Sequence, residues 1–172
     1  MEINLSVIKN YMKENEIDNN NDINIPFELI PSLGIFQIIK DNDKYMKWII
    51  KMIIRKESPY KNGVFTITIE FPEDFPNHKP EVRIANKIYH LNTNPSNGHI
   101  DVEFLNCWNK NTSTTELLVG IYLVFILTQN PKVAYSIESA KEYNQNRNEF
   151  NRKVKDHVLK NAQPSENDLK LI

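Results

Sequence analysis

YKNGVFTITIEFPEDFPNHKPEVRIANKIYHLNTNPSNGHIDVEFLNCWNKN, Tyr60 to Asn111, decides how this chain is read. It runs as a strand, a proline-rich loop, a second strand and then a long stretch from Asn86 to Asn111 with neither helical nor strand periodicity. Loops of that length are functional or disordered. Its Ile, Tyr, Phe, Leu and Trp side chains can bury enough surface to hold it down, so an ordered functional loop is expected.

The strands around it follow from alternation. Gly34 to Lys40 reads as a strand, and Asp41-Asn42-Asp43 as a turn. From Tyr45 to Arg55, Met46, Trp48, Ile50, Met52 and Ile54 share one face; Tyr45, Ile49 and Ile53 share the other with Lys47, Lys51 and Arg55. One apolar and one mixed face is the pattern of an antiparallel sheet with one side buried. Asn62-Gly63 signals a turn, Val64 to Phe71 a third strand and Glu81 to Ala85 a fourth, which together make a meander.

Helices flank the sheet. Leu5, Ile8 and Met12 give residues 3–15 one apolar stripe, and the polar stretch from Asp18 to Asn24 links it to Pro26 and Pro31. Ser113-Thr-Thr-Glu116 has capping-box spacing, and Leu117 to Gln129 is apolar nearly all round, the pattern of a buried helix ended by Pro131. Ser136 to Lys160 is helical again, with an Asn-rich middle able to divide it. The fold class expected is α+β: one domain over residues 1–162 and a mobile tail over 163–172.

Composition narrows the function. With 172 residues, 40% hydrophobic and 25% charged, the chain suits one globular domain with a full core. A net charge of -1 and the lack of a basic stripe argue against nucleic acid and against an anionic membrane surface. Cys107 stands alone, which excludes an internal disulfide and a multi-cysteine zinc site; His78, His90, His99 and His157 show no metal-ligand spacing, so no metal or cofactor is expected. The first residues lack the apolar core of a signal peptide, and the longest apolar run is too short to span a bilayer. A cytoplasmic protein without direct membrane insertion is expected.

Five short motifs in order now resemble the ubiquitin-conjugating enzyme (UBC) family over most of the chain. Ser58-Pro59-Tyr60-Lys61-Asn62-Gly63-Val64-Phe65 is similar to the family's SPYxGGxF entry. Phe71 to Pro76 with Pro80 is similar to FPxxYPxxPP, Tyr89-His90-Leu91-Asn92 to YHPN, Asn97-Gly98-His99-Ile100 to NGxI, and Trp108 to the family tryptophan. In active members the residue after NGxI is the cysteine that carries ubiquitin as a thioester. Here it is Asp101. Thioester transfer needs a thiolate, both a good nucleophile and a good leaving group, and a carboxylate cannot replace it. The resemblance therefore implies a degenerate site at His90, Asn92 and Asp101. The Asn92 counterpart supports the oxyanion in active members; with no thioester, the expectation here is that it pins the loop by side-chain-to-backbone hydrogen bonds.

Cys107, six residues on, is the other thiol available as a nucleophile, but a lone cysteine beside an aromatic reads first as a small buried hydrophobe. The ligase-docking positions of many active members correspond to Asn77, beside His78, and to the segment from Asn109 to Thr112; none offers the apolar anchor that carries such contacts.

Among cysteine-less variants, the chain most resembles the fused-toes homologue (Akt-interacting protein) group. Gly98-x-Ile100-Asp101-Val102 is similar to that group's GxLDV, and the long His90 to Asp101 spacing agrees, while Asn92 departs from it. The resemblance implies a protein-binding subunit in a complex of the Hook and FHIP type on vesicles, partnered by a coiled-coil adaptor. Two alternatives stand beside it. One is a variant that assists an active conjugating enzyme in building ubiquitin chains, binding ubiquitin; the other is an enzyme that uses Cys107. Tyr45, Ile49 and Ile53, on the open sheet face, are the candidate docking residues.

Overall fold

The computed structural model describes residues 33–40, 47–101, 103–127 and 129–172. The expected first helix, the linker after it, the Asp41-Asn42-Asp43 turn and Tyr45 lie outside the described residues.

β1 (Ile35–Lys40), β2 (Lys47–Ile53), β3 (Val64–Glu70) and β4 (Glu81–Ile84) form one antiparallel sheet in the order β1-β2-β3-β4. Trp48 lies opposite Ile69, Ile50 opposite Ile67 and Met52 opposite Phe65, so the apolar face of β2 meets the apolar face of β3 pair by pair. Those six side chains are fully buried. A slip of one residue would move every one of them to the other face, so the register is strongly fixed. β1 carries one irregularity, between Ile35 and Gln37. At the β2–β3 connection, Asn62 takes a left-handed φ of 65°, which asparagine tolerates well.

α1 (Thr114–Ile126) packs on the buried face; every residue from Thr114 to Phe125 is buried. Phe125 stacks on Phe65 with ring centroids 4.7 Å apart and meets Tyr60 edge-on at 5.7 Å. The capping box forms: the Glu116 amide donates to Ser113 Oγ at 3.1 Å, and the Ser113 amide donates to the Glu116 carboxylate at 2.8 Å. The helix ends at Ile126, earlier than expected, because Leu127 turns extended; Pro131 instead opens a short 3₁₀ turn, Pro131–Val133. α2 (Ile137–Gln145) and α3 (Arg147–Asn161) divide at Asn146, which caps α3 by accepting from the Glu149 amide.

Within residues 163–172, read from the sequence as a mobile tail, the structure places a short helix. α4 (Glu166–Leu169) starts in a second capping box, Ser165 with Asp168, and Asp168 accepts a hydrogen bond from Lys51 Nζ at 2.7 Å on the outer face of β2. The pattern Ser-x-x-Asp was present in the sequence, but the stretch after it, Leu169-Lys170-Leu171-Ile172, is too short to show the helical periodicity that usually accompanies such a cue.

Candidate functional site

The segment from Ile88 to Asp101 is held from below by side chains that look structural in the sequence. Tyr60, from the strand-entry motif, is fully buried; its hydroxyl donates to the Tyr89 carbonyl at 2.8 Å and accepts from Gln129 Nε2 at 2.9 Å. Gln129 Oε1 accepts in turn from the Leu91 amide at 2.6 Å. Burial pushes the Tyr60 hydroxyl well above the usual phenol range, so it stays protonated and keeps donating. This Tyr60–Gln129–Leu91 chain escaped the sequence reading because its members are far apart in sequence.

His90 is buried and locked in one tautomer. Nδ1 accepts from the Asn92 amide at 3.0 Å, so Nε2 carries the hydrogen and donates to the Val124 carbonyl at 3.2 Å. Burial lowers its pKa to about 4, only partly opposed by the Val124 contact. The ring is neutral near pH 7 and has both nitrogens engaged.

Asn92 is equally committed. Nδ2 donates to the Asn130 carbonyl at 2.9 Å and the Val133 carbonyl at 3.3 Å, while Oδ1 accepts from the Asn130 amide at 3.2 Å. Both amide hydrogens are used, so none reaches an external oxyanion without breaking one of these bonds. The loop-pinning role expected for Asn92 is the geometry found.

Asp101 is half-buried, with its amide donating to the Asn92 carbonyl at 2.8 Å. It reaches this place because Thr93 bridges Ile100 and the Ile84 amide donates to Gly98, clamping the 93–101 hairpin onto the end of β4. Gly98 has φ 72°, and a Cβ there would stand 2.1 Å from the Ile84 carbonyl oxygen, so only glycine fits. Asp101 lines a hollow of about 130 Å³ with Lys79, Glu81, His99 and Leu105. On the other side, the Tyr135 hydroxyl lies 3.0 Å from His99 Nδ1, and burial with the Asp101 charge raises its pKa. The structure thus gathers His90, Asn92 and Asp101 around one hairpin.

The remaining sequence candidates sit elsewhere. Cys107 ends the 3₁₀ turn Glu103–Cys107 with its side chain exposed, which corrects the expectation of a small buried hydrophobe. Its neighbour Trp108 takes the burial instead, donating Nε1 to the Pro76 carbonyl at 2.9 Å and packing on Phe75. Asn77 and His78 are exposed on the proline-rich loop, and His78 pairs with Asp74. Ile49 and Ile53 are half-buried on the outer sheet face. Among the described residues no group of three His, Cys, Asp or Glu side chains could hold a metal ion, and no helix is long and apolar enough to cross a membrane.

A four-stranded meander over a buried helix, with an NGxI hairpin beside a buried His-x-Asn, defines a ubiquitin-conjugating domain. The ubiquitin-conjugating enzyme family pattern matches residues 21–158. Ubiquitin conjugating enzyme E2 B of Dictyostelium discoideum is 30% identical over 121 residues, 70% of this chain and 81% of that protein. Ubiquitin-conjugating enzyme E2 3 of Arabidopsis thaliana is 30% identical over 125 residues, 72% and 81% respectively. A Plasmodium yoelii crystal structure assigned as a ubiquitin conjugating enzyme superposes with a TM-score of 0.67 at 22% identity, covering 96% of this chain and 99% of its own. A Toxoplasma gondii ubiquitin conjugating enzyme domain gives a TM-score of 0.66 at 21% identity, covering 79% and 96%. The chain belongs to the ubiquitin-conjugating enzyme family.

Proposed function

We propose that this chain is a non-catalytic member of that family, a pseudoenzyme that uses the conjugating-enzyme fold as a protein-binding subunit. One observation carries the reading: Asp101 occupies the place directly after the Asn97-Gly98-His99-Ile100 turn, where transfer chemistry requires a thiol. A carboxylate attacking the activated ubiquitin C-terminus would give a mixed anhydride, which water destroys, so no lasting carrier forms. The committed amide of Asn92 supports the same reading, because the group that would meet an oxyanion is already bonded to Asn130 and Val133.

The partner suggested by the Gly98-x-Ile100-Asp101-Val102 pattern is a Hook-type coiled-coil adaptor, in a cytoplasmic complex that sits peripherally on vesicles. Assistance to an active conjugating enzyme in ubiquitin-chain assembly is the alternative. Pull-down from a cell extract followed by mass spectrometry separates them: coiled-coil adaptors support the first, and a stoichiometric conjugating enzyme replaces it with the second.

The exposure of Cys107 gives a third reading its one specific support, that of an enzyme with a relocated nucleophile. A charging reaction with activating enzyme, ATP and ubiquitin, resolved on non-reducing gels, tests the pseudoenzyme reading against it.

A further inference from the structure

Two of the chain's four glycines follow an asparagine, in Asn62-Gly63 and Asn97-Gly98. Asparagine is a chemically labile residue, and most so before glycine, whose amide nitrogen has no side chain to shield it from the carboxamide next to it. The fold encloses the first of these pairs. Gly63 is buried; its amide donates to the Tyr60 carbonyl at 3.0 Å and its carbonyl accepts from the Ile54 amide at 3.1 Å. A Cβ on Gly63 would stand 2.6 Å from the ring of Phe65, itself fully buried, so freeing this nitrogen means lifting the turn off the core.

The second pair stands at the tip of the 93–101 hairpin, where Pro95, Ser96 and Asn97 are exposed and Gly98 is half-buried. Asn97 Oδ1 accepts from the His99 amide at 3.0 Å, the turn in which an asparagine bonds its own backbone two residues on. That bond folds the carboxamide back along the Gly98 peptide and polarises the carbonyl that would be attacked. The Gly98 amide donates to the Asn94 carbonyl at 2.9 Å. Breaking this bond opens only the exposed tip, and segments with few buried contacts open at the lowest free energy.

We infer that Asn97-Gly98 is a site of spontaneous deamidation, and that its conversion to isoaspartate alters the hairpin that carries Asp101. The Gly98 amide gives its proton to hydroxide, and its nitrogen bonds to Asn97 Cγ. The bond from Cγ to Nδ2 breaks, and ammonia leaves with a proton taken from water, which restores the hydroxide. Water then opens the cyclic imide at either carbonyl, giving aspartate or isoaspartate with no other reagent. Isoaspartate routes the main chain through Cβ, which lengthens it by one methylene, and puts a carboxylate where a neutral amide stood. The extra methylene falls inside the turn closed by the Asn94 amide on the His99 carbonyl at 2.8 Å. The new charge falls beside Arg83, whose Nη1 donates to the Asn97 carbonyl at 3.4 Å and whose Nη2 pairs with Glu81. It competes for Arg83 with Glu81, which lines the same hollow as Asp101. This inference is independent of whether residue 101 or Cys107 carries ubiquitin.

The full chain is aged in mildly alkaline buffer, folded and in guanidinium chloride, and conversion at each asparagine is followed by peptide mapping with mass spectrometry. In the folded chain Asn97 converts about tenfold or more faster than Asn62, because only the latter must wait for the core to open. In guanidinium the two convert at similar rates. Asn97→Gln, whose longer side chain must close a larger ring, shows no conversion at that position. The acidic fraction of aged wild type, separated by anion exchange, shows faster amide exchange from Gly98 to Asp101, while exchange in α1 stays slow and reports an intact fold. Conversion of Asn62 as fast as Asn97 in the folded chain, a rate ratio that persists unchanged in guanidinium, conversion at Asn97 only in guanidinium, or unchanged hairpin exchange in the acidic fraction would each overturn the inference.

Discussion

Asn92 and Asn130 hold each other reciprocally: the Asn130 amide donates to Asn92 Oδ1 at 3.2 Å, and Asn92 Nδ2 donates back to the Asn130 carbonyl at 2.9 Å. The pair ties the hairpin bearing Asp101 to the segment that follows α1. Together with the third bond, to Val133, it makes Asn92 a structural residue whose loss is read in stability. Replacing Asn92 with alanine removes all three bonds, the one from the half-buried Asn130 amide included. The expected loss is about 3 kcal/mol in urea-induced unfolding. A loss below about 0.5 kcal/mol would contradict the pinning role.

His90 makes stability depend on pH. Its native pKa, about 4, lies below the ordinary 6.5, so in that interval the unfolded chain binds a proton that the native chain refuses. Stability is therefore full above about pH 6.5 and falls as the pH drops toward about 4, by about 3 kcal/mol in all. Urea midpoints measured at about pH 7 and about pH 4.5 check this, with His90→Gln as control. That variant is less stable than wild type near neutrality but loses less on acidification. An unchanged slope in the variant would remove His90 as the cause.

Backbone conformation sets a sharp contrast between two turns. Gly98 stands at φ 72° with the Ile84 carbonyl where a side chain would begin, so Gly98→Ala is expected to cost roughly 3 kcal/mol or more. Asn62, at φ 65°, already bears a side chain in the left-handed region, so Asn62→Gly changes stability by no more than about 0.5 kcal/mol. Thermal melts of the two variants decide it.

Cys107 is open to reagents without unfolding. One equivalent of thiol reacts with a disulfide reagent in the native chain, and the resulting mixed disulfide melts within about 2 °C of the unmodified protein. Reaction only in denaturant would return Cys107 to the core.

Much of this was legible because the cues were local. The alternation of Trp48, Ile50 and Met52 fixed the face of β2, and Ser113 with Glu116 marked the start of α1 in both sequence and structure. Asn146 divides the last long helical stretch where its Asn-rich middle suggested. What stayed hidden depends on partners distant in the chain. Nothing near Gln129 announces that it bridges Tyr60 and Leu91, and nothing near Asp168 announces Lys51. Cys107 misled because proximity to Trp108 suggested shared burial, whereas the turn Glu103–Cys107 sends the two side chains to different fates. The end of α1 moved because Leu127, four residues before Pro131, already turns extended.

The charging reaction tests the central claim most directly. Wild type and Cys107→Ala are each incubated with activating enzyme, ATP and ubiquitin, and intact masses are read before and after reduction. The account predicts no ubiquitin adduct on either chain, because Asp101 cannot hold a thioester and Asn92 has no free donor for its oxyanion. A thiol-labile adduct on wild type that disappears in Cys107→Ala would contradict it and make this an enzyme with a displaced nucleophile.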